Sequence, residues 1–520
     1  MFLCQPLLDV LIGRRVEDAD SFVQTPSWSD LPDPLSIPGM EQAVDRVFRA
    51  IRANERILIH GDYDCDGVLG THILRSVLAS MGATPRAYLP HRDEGYGLST
   101  NQVHLFSRAG TDLLITVDNG INAHQAVLLA QRLGIDVLVI DHHSIQEQAK
   151  TLAVWSPEFC GAGLAAIFGW ALAIRAGWND GRVESLLQGL SQYAAIASIA
   201  DCVPLLNGTR VLARLGMGQL AQARHCGLRE LVRVSCTDPA RPDSHDVAFG
   251  VAPRINAAGR MDHPALALAV FDAAQDEEAA RKSVETLNQL NLERRRLVGL
   301  EFKELTASLH HPIPAALVVY RETCRKGIAG LLASKCVERF SVPTIILVPS
   351  SAPDTVQGSG RSVAGFDMVE ALRPFARFLT RFGGHAQAVG LTMPLANVRA
   401  FEQEFVGSVE AAGLKPETGL RAEAEIVLPM LGGRFNEQLD LLEPFGEGNR
   451  APIFLLRMVE ILSVKNRWVR IRQGGRSMEA LAWDVPMSEG MRGDCLIEFY
   501  GKRRILREFR DQIAPLSRPV

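Results

Sequence analysis

The sequence predicts an α/β chain: two α/β domains joined by a long helix, then a small β-barrel. Three observations carry this. Short apolar runs alternate with helical patterns through the first half, which suits a parallel sheet covered on both faces. A charged, amphipathic stretch from Asp272 to about Leu309 has no proline and a single glycine, so it reads as one continuous helix. Beyond Arg421, five short alternating segments follow within about a hundred residues, as a barrel requires.

Taken in order, residues 1–39 form an N-terminal extension ending in the proline-rich loop "SWSDLPDPLSIPG". A helix is expected over Met40 to Asn54. The first α/β domain, 40–270, holds the strands "RILIHG", "LLITVDNG" and "DVLVIDHH". Residues 271–311 supply the connecting helix. The second domain, 312–415, opens on "AALVVY" and continues through "PTIILV". The third, 421–520, has the segments "AEAEIVL", "LLRMVEILSV", "WVRIRQ", "MEALAW" and "CLIEFYG".

A chain of 520 residues with 47% apolar and 22% charged residues can build about three domains with real cores. A net charge of −4 neither demands nor forbids a polyanionic partner. The nine cysteines include no C-x-x-C pair, which reads as free thiols in a reducing compartment. The start lacks the charge order of a signal peptide, and no run reaches the roughly 18 apolar residues that span a bilayer. A cytoplasmic protein without a membrane partner is expected.

The chemistry concentrates after the strands. His60, Asp62, Asp64 and Asp66 follow the first, Asp118 ends "LLITVD", and Asp141, His142 and His143 end "DVLVIDHH". Asp201 ends "AAIASIAD", an apolar run compatible with helix or strand. Ligands of open parallel sheets bind beyond the carboxyl ends of the strands. Each aspartate alone reads as a turn former or helix cap; four such ends on one sheet edge read as a site. Crowded carboxylates and imidazoles are resolved by divalent cations, two of them about 3.5–4 Å apart. Mixed oxygen and nitrogen donors suit manganese, with magnesium as the harder alternative.

With "DYDCDG", "TVDNG", "DHH" and "ASIADCVPL" in place, the chain resembles the DHH phosphoesterase superfamily. "PHRDEGYGLS", "PRINAAGRMDHP", "GSGRS", "GGHAQAVGL" and "LEPFGEGN" extend the likeness to its bacterial branch of single-strand-specific 5′→3′ DNA exonucleases. The resemblance implies a DHH catalytic domain, a DHHA1 domain and an oligonucleotide-binding (OB-like) barrel. It implies metal ligation by His60, Asp64, Asp66, Asp118, His142 and Asp201. His143 would contact the scissile phosphate or help to hold a metal, so Asp118, His142, His143 and Asp201 are the catalytic expectations. Asp62 is left between a metal ligand and a residue that stands behind the ligands or in the turn. Arg92, Arg260, Ser359, Arg361 and His385 would bind the DNA phosphate, although on spacing alone each arginine reads as a surface residue. Cys65 and Cys202 fit no zinc spacing and read as packing residues.

From Arg457 onward, thirteen Lys/Arg face eight Asp/Glu. Arg467 and Arg470 flank Trp468, while Lys502, Arg503 and Arg504 follow Phe499 and Tyr500. That pattern suits single-stranded DNA, with Trp483 and Phe499 expected in the core and Lys502–Arg504 either in the groove or on plain surface. The resemblance also implies work beside a single-strand-binding protein and a helicase, by a monomer. Competing readings are a phosphodiesterase of short oligonucleotides or cyclic dinucleotides, an inactive DNA-binding scaffold, and a phosphatase of small metabolites.

Overall fold

The computed structural model describes residues 3–511 and 513, except 274, 310, 414–419 and 484. The first sheet runs β1 (Ile57–His60), β2 (Arg86–Tyr88), β3 (Leu113–Val117), β4 (Asp136–Asp141) and β5 (Leu152–Trp155). All pair in parallel, in the order β2-β1-β3-β4-β5. Alternate side chains serve opposite faces. Ile57, Ile59, Ile115, Val117 and Ile140 enter the larger core, while Leu58, Leu114, Val137 and Val139 meet Val103, Phe106 and Val127 on the other side. The winding reverses between β1 and β3, so this order leaves a crevice beyond His60 and Val117.

"AAIASIAD" is a helix, not a fourth strand end. It closes the helix Asp180–Ala200, and Asp201 is that helix's C-cap residue. Every residue from Ser191 to Ile199 is buried. A helix packed on all sides loses its apolar periodicity, which is why the sequence left the two states open.

The helix Glu277–Ser308 spans 32 residues, about 48 Å at 1.5 Å per residue. Its Val284 and Leu287 belong to the first core, and its Val298 and Leu305 to the second domain. That domain is a mixed sheet of β6 (Leu317–Tyr320), β7 (Thr344–Pro349), β8 (Thr355–Arg361), β9 (Arg381–His385) and β10 (Ala388–Pro394), ordered β6-β7-β8-β10-β9.

The third region forms a partly closed ring. Its strands are β11 (Ala424–Glu425), β12 (Ile453–Lys465), β13 (Trp468–Gln473), β14 (Arg476–Ala482), β15 (Arg492–Tyr500) and β16 (Arg503–Arg510). The order is β11-β12-β13-β14-β16-β15, and β12 also pairs with β15 to close the ring. The expected strand "AEAEIVL" contributes only two residues, because Pro429 leads the chain into a 3-10 turn. The strand β16 was hidden by its arginines, yet it buries Ile505, Leu506 and Phe509. Phe499 lies in the core as expected, whereas Trp483 is 42% exposed.

Lys502–Arg504 is neither groove nor plain surface. Lys502 Nζ donates to Asp238, Arg503 Nη2 bonds Asp246 Oδ1 at 3.0 Å, and Arg504 lies 4.4 Å over the Phe499 ring. The first two tie the ring to the first domain. "LEPFGEGN" makes the same junction: Leu205 N donates to Glu447 O at 2.8 Å, and the half-buried Glu443 accepts from Ser244 Oγ and from Phe445 N. The N-terminal segment packs against the ring as well. Leu7, Val10 and Leu11 of the helix Gln5–Gly13 lie in the core of the ring, and Arg14 grips Glu423 through Nε and Nη2. Among the described residues, no helix is long and apolar enough to cross a membrane.

Leu11→Ala is expected to cost about 2–5 kcal/mol, read as a lower denaturation midpoint. Burial raises the Glu443 pKa from 4.5 to about 7, so the native state keeps this proton after the unfolded chain has lost it. Its contribution to stability is therefore lost as pH rises from 4.5 through about 7. Glu443→Gln should flatten that part of the pH profile in parallel melts of both proteins.

Candidate metal centre

The loop after β1 folds back over the helix Cys65–Ser80, and its glycines make that possible. A Cβ on Gly67 would lie 2.3 Å from the Asp62 nitrogen, so only glycine permits the approach. Asp64 caps this helix: its Oδ1 accepts from the nitrogens of Asp66 and Gly67 at 3.1 Å each. The cap role and a ligand role coexist, because Oδ2 takes no part in the cap. Asp66 accepts from Gly161 N at 2.6 Å and Ala162 N at 2.7 Å, at the positive end of the helix Gly161–Arg175.

After β3, Asp118 adopts a left-handed backbone with φ 62°, a strain of about 1–2 kcal/mol that aspartate tolerates better than most residues. After β4, His142 Nε2 is surrounded by carboxylate oxygens: Asp118 at 3.2 Å, Asp201 at 3.5 Å and Asp66 at 3.7 Å. Burial lowers the His142 pKa and so favours the neutral imidazole, the form that ligates metals. Asp141 serves the histidines: it accepts from the nitrogens of His142, His143 and Ile121, and from His143 Nδ1 at 2.7 Å. Burial pulls His143 down, but the hydrogen bond and charge of Asp141 outweigh it, and the net shift is upward.

Three interlocking groups have ligand atoms within 4.8 Å of one another: Asp118 with Asp141, His142 and His143; Asp66 with His142 and Asp201; and Asp62 with Asp64 and Asp118. Asp118 and His142 each belong to two. Burial, followed by neighbouring carboxylates, drives Asp62, Asp118 and Asp201 well above the usual carboxylate range. Asp62 Oδ1 is buried without a partner. Among the described residues, no lysine or arginine pairs with Asp62, Asp64, Asp66, Asp118 or Asp201. Crowded, unpaired oxygen donors with imidazole nitrogen beside them fit two divalent cations.

His60 lies apart from these groups. It is 0% exposed, stacked 5.7 Å from the Tyr88 ring and edge-on to Phe106, with neither ring nitrogen hydrogen-bonded. Burial lowers its pKa to about 4, and it stands outside the three groups, one of which includes Asp62. Cys202 is exposed rather than packed, whereas Cys65 is buried. Sequence reasoning gave no role to Tyr96, whose hydroxyl lies 2.8 Å from His143 Nε2, or to Asn256, whose Oδ1 accepts from Cys65 N. Both sit in quoted motifs, which was the available signal. The cluster Asp243, His245 and Asp246 is a different matter, since Arg503 already neutralises it.

Beside the carboxylates lies a cluster of arginines. Arg92 Nε donates to Gly259 O at 3.1 Å, Arg260 Nη1 to Gly327 O at 3.3 Å, and Arg361 Nη1 to Gly360 O at 2.8 Å. Burial and then the charges of Arg92, Arg294 and Arg361 bring Arg260 down to about 9. None of the four pairs with a carboxylate among the described residues. Unpaired, partly desolvated guanidiniums have the chemistry to receive an anion. Arg294, from the long helix, was not anticipated. Ser359 lies on β8 two residues before Arg361, both against Gly330. His385 ends the edge strand β9, exposed, with β10 between it and β8.

A model described as the DHH family, N-terminal domain, matches residues 56–196, and one described as the DHHA1 domain matches 314–410. The chain is 32% identical over 501 residues to the single-stranded-DNA-specific exonuclease RecJ of Dickeya dadantii, covering 88% of this chain and 86% of that protein. It is 34% identical over 409 residues to RecJ of Bacillus subtilis, covering 76% of this chain and 51% of that protein, so it spans about half the length of that relative. The crystal structure of RecJ in complex with Mn2+ from Thermus thermophilus matches all of this chain and 79% of the other, with a TM-score of 0.80 and 28% identity.

Manganese at about a hundred times its dissociation constant should stabilise the protein by about 2.7 kcal/mol per site. Asp118→Asn should abolish most of that gain in thermal melts while leaving the metal-free protein as stable as before, since it removes a crowded buried acid.

Proposed function

The chain belongs to the RecJ family, and we propose that it is a single-stranded-DNA-specific 5′→3′ exonuclease that releases 5′-mononucleotides in DNA recombination and repair. One observation carries this reading above all: a nest of unpaired carboxylates adjoins a cluster of unpaired arginines, close enough for Asp64 to act on Arg260 and Arg92 on Asp62. One half suits metal-assisted phosphodiester hydrolysis, and the other suits the phosphate that marks a strand end.

Asp62, Asp64, Asp66, Asp118, His142 and Asp201 would hold two manganese ions, with magnesium as the alternative. When bound, such ions polarise the phosphoryl group, lower the pKa of water and stabilise the leaving oxygen. Asp141 orients His143 through Nδ1, and Nε2, which meets the Tyr96 hydroxyl, would exchange that partner for the scissile phosphate. Arg92, Arg260 and Arg361, with Ser359, would hold the terminal 5′-phosphate through guanidinium forks. His385, exposed on β9, would contact the backbone further along. On the ring, Arg467 and Arg470 flank Trp468, which is 54% exposed. A base can stack there beside a positive track, whereas Lys502 and Arg503 are engaged at the domain junction.

The reading extends to a monomer in the cytoplasm, supplied with single strands by a single-strand-binding protein and a helicase. Nine cysteines without a disulfide support the reducing compartment. A phosphodiesterase of short substrates would leave the ring without a role, and an inactive scaffold would not keep the carboxylates.

The test is incubation of 5′- and 3′-labelled single strands with and without Mn2+, beside Asp118→Asn. Early release of the 5′ label, none from blunt duplex and none by the variant is expected. Equal early loss of both labels, or cleavage confined to dinucleotides, overturns the assignment. Strand affinity measured by fluorescence anisotropy should fall steeply between about 50 and 200 mM salt.

A further inference from the structure

The loop that bears the carboxylates and the helix that bears Arg260 are fastened together at three points. Asn256 Oδ1 accepts from Cys65 N at 2.9 Å. A Cβ on Gly259 would lie 2.3 Å from the Tyr63 carbonyl oxygen, so the two backbones touch where only glycine fits. Arg92 completes the joint: its Nε donates to Gly259 O, and its guanidinium carbon lies 4.0 Å from the centre of the Tyr63 ring. Tyr63 stands between Asp62 and Asp64, both of which face the cation groups. Its neighbours thus serve one site while its ring supports the other.

Arg92 needs such support. Its other partner is a carbonyl at one nitrogen, no carboxylate holds it among the described residues, and the nearby charges of Arg260 and Arg361 repel it. A guanidinium free to swing would lose much of the advantage of its rigid fork. An aromatic face opposes that freedom without neutralising the charge, which an acidic partner would do.

We propose that Tyr63 is a positioning residue: its ring holds the Arg92 guanidinium in place and thereby sets the preference for a strand that ends in a 5′-phosphate. The inference rests on the exonuclease reading. It distinguishes the ring face, which matters, from the phenol hydroxyl, which does not.

The experiment compares initial rates on single strands with a 5′-phosphate or a 5′-hydroxyl, in excess Mn2+, for the wild type, Tyr63→Leu, Tyr63→Phe and Arg92→Ala. Tyr63→Leu should lower the preference for the phosphate about tenfold, through KM on the phosphorylated strand with kcat nearly kept. Tyr63→Phe should restore the wild-type ratio. In the Arg92→Ala background, Tyr63→Leu should change the ratio no further. Should the leucine variant not fold, Tyr63→Met is read in the same way. Equal losses on both substrates, or a loss through kcat alone, would mean a merely structural role and overturn the inference. So would an unchanged ratio. A wild type that releases no 5′ label defeats the exonuclease assignment itself, and an active wild type with an unmoved variant defeats only the role of Tyr63.

Discussion

Mutual repulsion among buried acids is the constraint around which this molecule is built. Five aspartates (Asp62, Asp64, Asp66, Asp118 and Asp201) converge where water is largely excluded, and among the described residues no lysine or arginine pairs with them. The fold supports the arrangement with weaker means: a helix N-terminus under Asp66, a helix cap at Asp64, a strained turn at Asp118. These fix the direction of each carboxylate without cancelling its charge. A proton or a bound cation can do that, which makes charge balance depend on what the site takes up and not on the chain alone.

The second half of the design is rigidity between separate elements. One helix contributes to two cores, so the first and second domains share a strut instead of a flexible linker. The third region is bound to the first through Arg503, Lys502, Glu443 and Glu447. Through Leu205 that junction reaches the segment that follows Asp201. Catalysis by positioning gains from such bracing, since small misplacements of reacting groups are costly.

Much of this was legible in the residues. The apolar runs of β1, β3 and β4 and the acids behind them are local signals, because strand period and strand end lie close together in sequence. The long helix announced itself by composition. What escaped was decided by tertiary contact. Asp201 ends a helix whose buried flanks imitate a strand. His60 matches a ligand by spacing, yet its ring is sealed between Tyr88 and Phe106, and Asp62 was left undecided because only the folded loop shows where it points. Arg503 of β16 helped to conceal a strand because its partners, Thr237 and Asp246, lie more than two hundred residues away.

The packing of Leu7, Val10 and Leu11 into the C-terminal ring bears on how the protein is made. These residues leave the ribosome before the ring strands that cover them, which begin more than four hundred residues later. At about 5–20 residues per second, a newborn chain carries an uncovered apolar helix for roughly 25 to 100 seconds. During that interval the helix has no native surface to cover it, because its partners in the ring are still to be made.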